Sequence, residues 1–340
     1  MQYRLLGTTN IQASVIGFGT YPLGGWMWGG TDESTAIRTI QTALDYGINL
    51  IDTAPIYGYG LAEEIVGKAI RNKRSQAVVA TKCGIVWDTK DWQPGKGELH
   101  VYGDEKGLTQ NTNHYRFYRY LKPESIIREV EASLKRLQTD YIDLLQTHAQ
   151  EQTTPIEETM TALEKLRDQG KIRAIGSSNV TRVQLESYCN AGTLDSTQEP
   201  YSFINRSIEE KGFLEVCDLN KVSFLAYAPL EQGLLTGTLQ PDFQYPEGDF
   251  RQNDPRFTPE NINRINNALD RLKPIQEQYG FSTSQLMLAW TVSRYEKMHV
   301  LCGMRTPKRI TENTKAGTVI LSENEMKLMD QLFDFNSQTR

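Results

Sequence analysis

Three polar residues stand at or just beyond the ends of apolar, β-rich runs. Asp52 closes "INLIDTA", Lys82 closes "AVVATK", and Tyr57 follows Asp52 in the loop "PIYGYG". A phenol beside an ammonium that is itself held by a carboxylate is a tunable acid. The ammonium favours the phenolate, and the carboxylate keeps the ammonium in place. Such a group moves a proton to or from a carbonyl oxygen. His148 closes a further run of the same kind, "YIDLLQTH". Taken singly, each residue has a plain structural reading. A strand-end Asp forms turns or caps, a loop Tyr packs, a strand-end Lys reaches solvent, and a half-buried His is satisfied by its neighbours. Four complementary groups at the ends of successive strands favour chemistry, provided one fold brings those ends to one mouth.

The elements that would do so alternate almost from end to end. After an N-terminal hairpin in "YRLLGTTNIQAS", the strand candidates are "SVIGFGT", "NLIDTA", "AVVATK", "YIDLLQTH", "IRAIGSSN", "DSTQEPYS", "VSFLAYAPL" and "HVLCGM". Amphipathic spacing predicts helices over Asp32–Tyr46, Ala62–Arg71, Glu124–Leu137, Pro155–Gln169, Thr181–Asn190, Glu209–Asn220 and Ser282–Arg294. Pro307–Ala316 and Ser322–Phe333 follow the last strand, and Ser322 with Glu325 reads as a capping box. Gly47 and Gly170 sit just past helix ends, where a left-handed cap is wanted. Strands alternating with helices imply parallel pairing through crossovers. The expected fold is α/β, a (β/α)8 TIM barrel with an N-terminal β-hairpin, long loops on its C-terminal face and extra C-terminal helices, all in one domain over 1–340. A barrel of about 250 residues leaves room for those additions. A doubly wound sheet would need a glycine fingerprint after its first strand, and "GFGTYPLGG" has the wrong spacing with no helix directly behind it. Two segments read as long loops, Cys83 to about Leu121 and Gly233 to about Asn261, each following a barrel strand. Barrel active sites sit on that face.

Composition narrows the partners. The 340 residues are 39% hydrophobic and 23% charged, with 37 basic against 42 acidic side chains, so the formal net charge is −5. No block of like charge suggests a nucleic-acid or membrane surface. The N-terminus lacks a basic, apolar leader, and no apolar run approaches the roughly 18 residues that would span a bilayer. Cys83, Cys189, Cys217 and Cys302 are far apart, which argues for free thiols in a reducing, cytoplasmic setting. His100, His114, His148 and His299 show no ligand spacing, so no metal is expected. Oligomeric state is not legible.

The motifs "GFGTYPLGG", "INLIDTAPIYGYGLAEEIVGKAI", "ATK", "LKRLQTDYIDLLQTH", "GKIRAIGSSN" and "TPKRITEN" together resemble the aldo-keto reductases over nearly the whole chain. The pattern is most similar to a bacterial branch of general-stress and sugar-oxidoreductase-like members. The resemblance implies a catalytic tetrad of Asp52, Tyr57, Lys82 and His148. It implies hydride transfer between a nicotinamide and a carbonyl carbon while Tyr57 handles the proton and His148 orients the carbonyl oxygen. On the cofactor side it implies Gly19, Thr20, Tyr21 and Asp52 at the first two strand ends. Ser178, Asn179 and Gln198 would hold the carboxamide, and Tyr227 would stack on the ring. Backbone from Ala228, Pro229, Leu230, Gln232, Gly233 and Leu234 would wrap the pyrophosphate; Glu231 is a departure, since an acid there must point away. Gly303, Met304, Arg305 and Thr306 lead into a helix whose N-terminus attracts phosphate. Arg305 and Arg309 would grip a 2′-phosphate, while Glu312 and Asn313 match adenine contacts. Two arginines favour NADPH/NADP+ over NADH. The substrate, a small-molecule carbonyl or alcohol, would meet Trp26, Trp28 and Trp87 beside Tyr57 and His148. Ala149 replaces an aromatic frequent in the family and widens the pocket, which points towards polyhydroxylated or sugar-like carbonyls. The alternative is a nucleotide-binding regulatory subunit resembling potassium-channel beta subunits, against which the intact tetrad weighs. An aldolase-like barrel with Lys82 as a Schiff-base lysine fails to explain the cofactor-side motifs.

Overall fold

The structure, a computed structural model, describes residues 1–25, 31–102, 115–245 and 249–333. Largely apolar runs form strands covered on both faces, with the few polar side chains among them buried. Val78–Cys83 and Ile142–Thr147 are buried at all six positions, as strands sandwiched between a barrel interior and an outer helical layer must be. Eight such strands close a parallel barrel. In chain order the strands are β1 (Tyr3–Leu5), β2 (Gln12–Ser14), β3 (Ile16–Gly19), β4 (Leu50–Asp52), β5 (Val78–Cys83), β6 (Ile85–Val86), β7 (Glu98–Tyr102), β8 (Tyr115–Arg119), β9 (Ile142–Thr147), β10 (Ile172–Ser178), β11 (Ser196–Pro200), β12 (Ser223–Tyr227) and β13 (Met298–Gly303). The barrel runs β3, β4, β5, β9, β10, β11, β12, β13 and closes back on β3. Asp52 therefore ends β4, Lys82 sits one residue before the end of β5, and His148 follows the last residue of β9, on three neighbouring strands.

The helices are α1 (Glu33–Asp45), α2 (Leu61–Ile70), α3 (Pro123–Leu137), α4 (Ile156–Asp168), α5 (Arg182–Ala191), α6 (Ser207–Glu210), α7 (Phe213–Asn220), α8 (Pro259–Asp270), α9 (Lys273–Tyr279), α10 (Thr283–Ser293), α11 (Pro307–Thr314) and α12 (Glu323–Phe333). Their starts follow local chemistry. Thr181 with Gln184 and Ser282 with Gln285 make reciprocal capping boxes, and Ser322 with Glu325 does the same ahead of α12. The helix expected over Glu209–Asn220 is broken into α6 and α7 at Gly212, whose φ of +69° ends one turn and opens the next.

Inside the barrel, Leu50, Val78, Ala80, Leu144, Ala174, Leu225 and Leu301 pack together with Leu6, Ile11 and Ala13. The last three come from the β1–β2 hairpin, in which Tyr3 pairs with Ser14 and Leu5 with Gln12. The hairpin plugs the end of the barrel opposite the catalytic strand ends. The segment Cys83–Leu121, expected as loop, carries an antiparallel sheet in the order β6–β8–β7. Aromatic residues on both of its faces hide the period-two alternation in the sequence. The loop expected from Gly233 to about Asn261 holds short 3-10 turns at Phe250–Asn253 and Pro255–Phe257 before α8 starts at Pro259. Beyond it α8 and α9 fall where the sequence reading has no helix, and the Asn-rich sequence of α8 masks Ile262, Ile265 and Leu269 as its buried face.

Candidate active site

Lys82 is the hub. Its side chain is 2% exposed, and its Nζ donates to both carboxylate oxygens of Asp52, at 2.8 and 2.9 Å. The same nitrogen reaches the Thr53 carbonyl at 3.0 Å and the Tyr57 hydroxyl at 3.3 Å. Gln146 adds a weak amide contact to Asp52 at 3.4 Å. Burial pushes the Asp52 carboxyl up and the Lys82 amine down, and each pulls the other back towards its charged form. The pair is close to neutral as seen from the phenol. Desolvation, with the Asp52 charge behind it, therefore holds the Tyr57 hydroxyl well above the ordinary phenol range. On sequence, the part of the ammonium is to favour the phenolate. With the Tyr57 hydroxyl held above the ordinary phenol range, the resting group is the acid, with the Lys82 ammonium 3.3 Å from its oxygen. The cause is the bidentate tie, which commits the ammonium to Asp52 first.

The phenol ring is fixed on all sides. Tyr21 meets it edge-on at 5.0 Å, His148 edge-on at 6.0 Å, and Lys82 Nζ lies 5.0 Å from its centroid. The loop bearing Tyr57 lies backbone-to-backbone on the loop after β3. A Cβ on Gly58 would stand 2.4 Å from the Gly24 carbonyl oxygen, and a Cβ on Gly24 would stand 2.6 Å from the Tyr57 carbonyl carbon. Glycine is required at both places. Burial, Lys82 and Arg119 together push His148 well below the ordinary histidine value, so its imidazole is neutral near pH 7.

A second cluster sits beside it at the ends of β10, β11 and β12. Asn179, at φ +53°, donates to the His148 carbonyl at 2.8 Å and to Ser178 Oγ at 3.0 Å, and accepts from the Tyr227 hydroxyl at 2.8 Å. Ser178 in turn donates to the Gln198 carbonyl at 2.9 Å. Glu199, pushed up to about 7 by burial, accepts from Val180 N at 3.0 Å and so pins the turn that aims Asn179. The side-chain oxygens of Gln198 and Thr20 are buried without a partner among the described residues. An orphaned amide oxygen next to Asp52 suits the amide donor of a nicotinamide carboxamide.

The loop after β12 strings together left-handed residues: Ala228 at φ +56°, Glu231 at +44°, Gln232 at +50° and Gly233 at +106°. Successive backbone N–H groups in such a run form an anion-binding nest. Glu231 does point away: it is 4% exposed and accepts from Ser202 Oγ at 2.7 Å and Arg256 at 2.9 Å. Over the loop lies Arg251, donating to the Gln232 carbonyl at 3.1 Å and held by Asp249 through contacts of 2.7 and 3.0 Å. A Cβ on Gly233 would meet only this guanidinium, at 3.7 Å. Arg305 follows β13; burial first lowers its pKa, the Arg251 charge adds to that, and Asp249 offsets it. A guanidinium laid over such a nest suits an anionic group. These features fit the diphosphate of a nicotinamide dinucleotide.

Thr306 caps α11 and Met304 is buried. Arg309 is exposed and paired with Glu312 at 2.9 Å, and Asn313 is buried with its amide donating to Cys302 Sγ at 3.3 Å. Trp87 packs against Tyr59 and Arg136, at 6.1 and 5.5 Å, on the outward side of the Tyr57 loop. Trp26 and Trp28 lie outside the described residues. Among the described residues no group of three or more His, Cys, Asp or Glu is placed to hold a metal, and no helix is long and apolar enough to cross a membrane. Sequence reading missed Arg251, Asp249 and Gln146. Gln146 is two positions before His148 on one strand, so period-two alternation was signal enough. The Asp249-x-Arg251 spacing says nothing until the fold lays it over Gln232.

Residues 15–334 match the family model described as the Aldo/keto reductase family. An aldo-keto reductase of Bacillus subtilis is 37% identical over 337 residues, covering 98% of this chain and 94% of its own. A protein of Escherichia coli named as an NADH-specific methylglyoxal reductase is 40% identical over 334 residues, covering 96% and 97%. Among solved structures, a glycerol dehydrogenase from Gluconobacter oxydans superposes with a TM-score of 0.85 at 34% identity, covering 99% of this chain and 96% of its own.

Proposed function

The chain belongs to the aldo/keto reductase family, oxidoreductases that interconvert carbonyl and alcohol groups with a nicotinamide cofactor, and we propose that it reduces aldehydes and ketones with NADPH, Tyr57 delivering the proton. The observation that carries this reading is the buried Lys82 ammonium bound to Asp52 with the Tyr57 hydroxyl at 3.3 Å.

Ser178, Asn179 and Gln198 would hold a nicotinamide, which would supply the hydride to the carbonyl carbon or accept it in the oxidative direction. Tyr57, protonated in its resting state, donates to the carbonyl oxygen as negative charge develops there. The phenolate left behind gains the Lys82 ammonium as its nearest charge, and Asp52 keeps that ammonium from moving. Neutral His148 donates a second hydrogen bond to the same oxygen and sets the angle of approach. Oxidation runs the proton path backwards, the phenolate accepting from the alcohol. The preference for NADPH rests on Arg251 and Arg305, whose mutual repulsion is relieved by a 2′-phosphate dianion more than by a ribose hydroxyl. The substrate class proposed is a small, polyhydroxylated or sugar-like carbonyl; Ala149 itself is buried, at 3% exposure.

The test is a panel of aldehydes, ketones and sugars scored by NADPH oxidation, paired with polyols scored by NADP+ reduction. Transfer of deuterium from one C4 face of NADPH to product carbon is expected. No carbonyl-dependent oxidation and no alcohol-dependent reduction across the panel would overturn the reading.

A further inference from the structure

The small sheet that interrupts the barrel sits on the rim between Lys82 and His148. His148 N donates to the Cys83 carbonyl at 2.8 Å, Tyr120 N donates to the Gly84 carbonyl at 3.1 Å, and Ile85 pairs with Arg119. Register places Glu98 opposite Arg119 and His100 opposite Phe117. By strand alternation these four share one face of the sheet. That face is the one turned to the catalytic loop, because Phe117 is buried against Ala54, Ile56 and Ile85 in the cluster that Tyr57 packs on.

Two polar atoms on this face are buried without a hydrogen-bond partner among the described residues, Arg119 Nε and His100 Nε2. The one carboxylate on the face among the described residues does not answer either. Glu98 accepts from Gln152 N at 3.0 Å, and its other oxygen stands 3.9 Å from His100 Nε2. Arg119 is close enough for its charge to help hold both His148 and His100 below the ordinary histidine value. Reducing an uncharged carbonyl needs no permanent cation at this place. A buried donor on a guanidinium is costly unless it is matched, and its fork matches carboxylate or phosphate.

We propose that Arg119, with His100 beside it, receives an oxyanion arm of the substrate, so that the physiological carbonyl carries a carboxylate or a phosphate. This rests on the reductase reading. It adds that the carbonyl end meets Tyr57 and His148 while the charged end reaches the sheet.

The test compares kcat/KM with NADPH for a series of ω-oxo carboxylates and aldose phosphates, each set against its uncharged amide or alcohol counterpart. The wild-type protein is expected to favour the charged member of at least one series, and the series favoured distinguishes carboxylate from phosphate. In Arg119→Met the charged-to-neutral ratio is expected to fall about 10- to 100-fold, with Arg119→Lys falling less because charge remains without the fork. An NADPH fluorescence titration on each variant confirms that the protein under test is folded. Equal rates on charged and neutral members in the wild type, or an unchanged ratio in Arg119→Met, would overturn the proposal. Loss of every carbonyl activity in the wild type would instead sink the reductase reading beneath it.

Discussion

Lys82 commits its charge to Asp52, and most of the site's behaviour follows from that one tie. Replacing Lys82 by Met leaves a buried carboxylate unmatched, which costs about 3–5 kcal/mol and abolishes turnover. Adding Asp52→Asn to that variant is expected to recover much of the melting temperature and none of the activity, separating the structural from the chemical share. The protonation states give a second expectation. His148 lies well below 6.5 and Tyr57 well above 10.0, so both keep their working form across the neutral range. Reductive kcat/KM should stay level between about pH 6 and 9, and a fall centred on the ordinary histidine value would contradict a neutral His148. These residues were legible in the sequence because each sits at or just past a strand end. Their ionisation was not, because it depends on which partner the ammonium meets first.

The elements divide between those that carry the mouth and those that close the far end. Leu6 of the hairpin is fully buried among barrel-interior side chains, so Leu6→Ala is expected to cost about 3 kcal/mol through the cavity it leaves. Thermal unfolding reads that loss, while the rate per folded molecule should change little. His299 on β13 is also fully buried; it pairs with the Ser14 carbonyl at 3.1 Å, and burial drives it down to about 4. The unfolded chain binds a proton that the folded chain refuses, so stability is full above pH 6.5 and falls as pH drops towards about 4. The loss amounts to about 3 kcal/mol, and His299→Gln should flatten that slope in denaturant titrations at stepped pH. The barrel strands, most helices and the hairpin could be read from periodicity and caps. The β6–β8–β7 sheet could not, because Phe117 and Arg119 face the mouth while Tyr118 on the opposite face is equally apolar. Arg251 was equally hidden: its role arises only when a segment 19 residues on returns over Gln232.

At the scale of the molecule, the barrel brings the Asp52–Lys82–Tyr57 cluster, the Ser178–Asn179–Gln198 cluster and the loop after β12 together from strands far apart in sequence. On the proposed reading these are the proton donor, the carboxamide pocket and the phosphate seat. Cofactor binding should therefore stabilise the whole fold, by about 2.7 kcal/mol at a hundredfold excess over Kd. At equal concentration NADPH is expected to raise the melting temperature more than NADH. Arg305→Gln should remove that difference, and a larger shift with NADH in the unaltered protein would contradict the preference assigned to Arg251 and Arg305. The central claim is that one phenol, set against a lysine held by a carboxylate, moves the proton while the rest of the barrel holds the reactants. Tyr57→Phe tests it most directly, with NADPH affinity and single-turnover reduction measured on the same sample. Unchanged affinity with hydride transfer slowed about 100- to 10,000-fold is expected, whereas reduction at close to the wild-type rate would contradict the role of Tyr57.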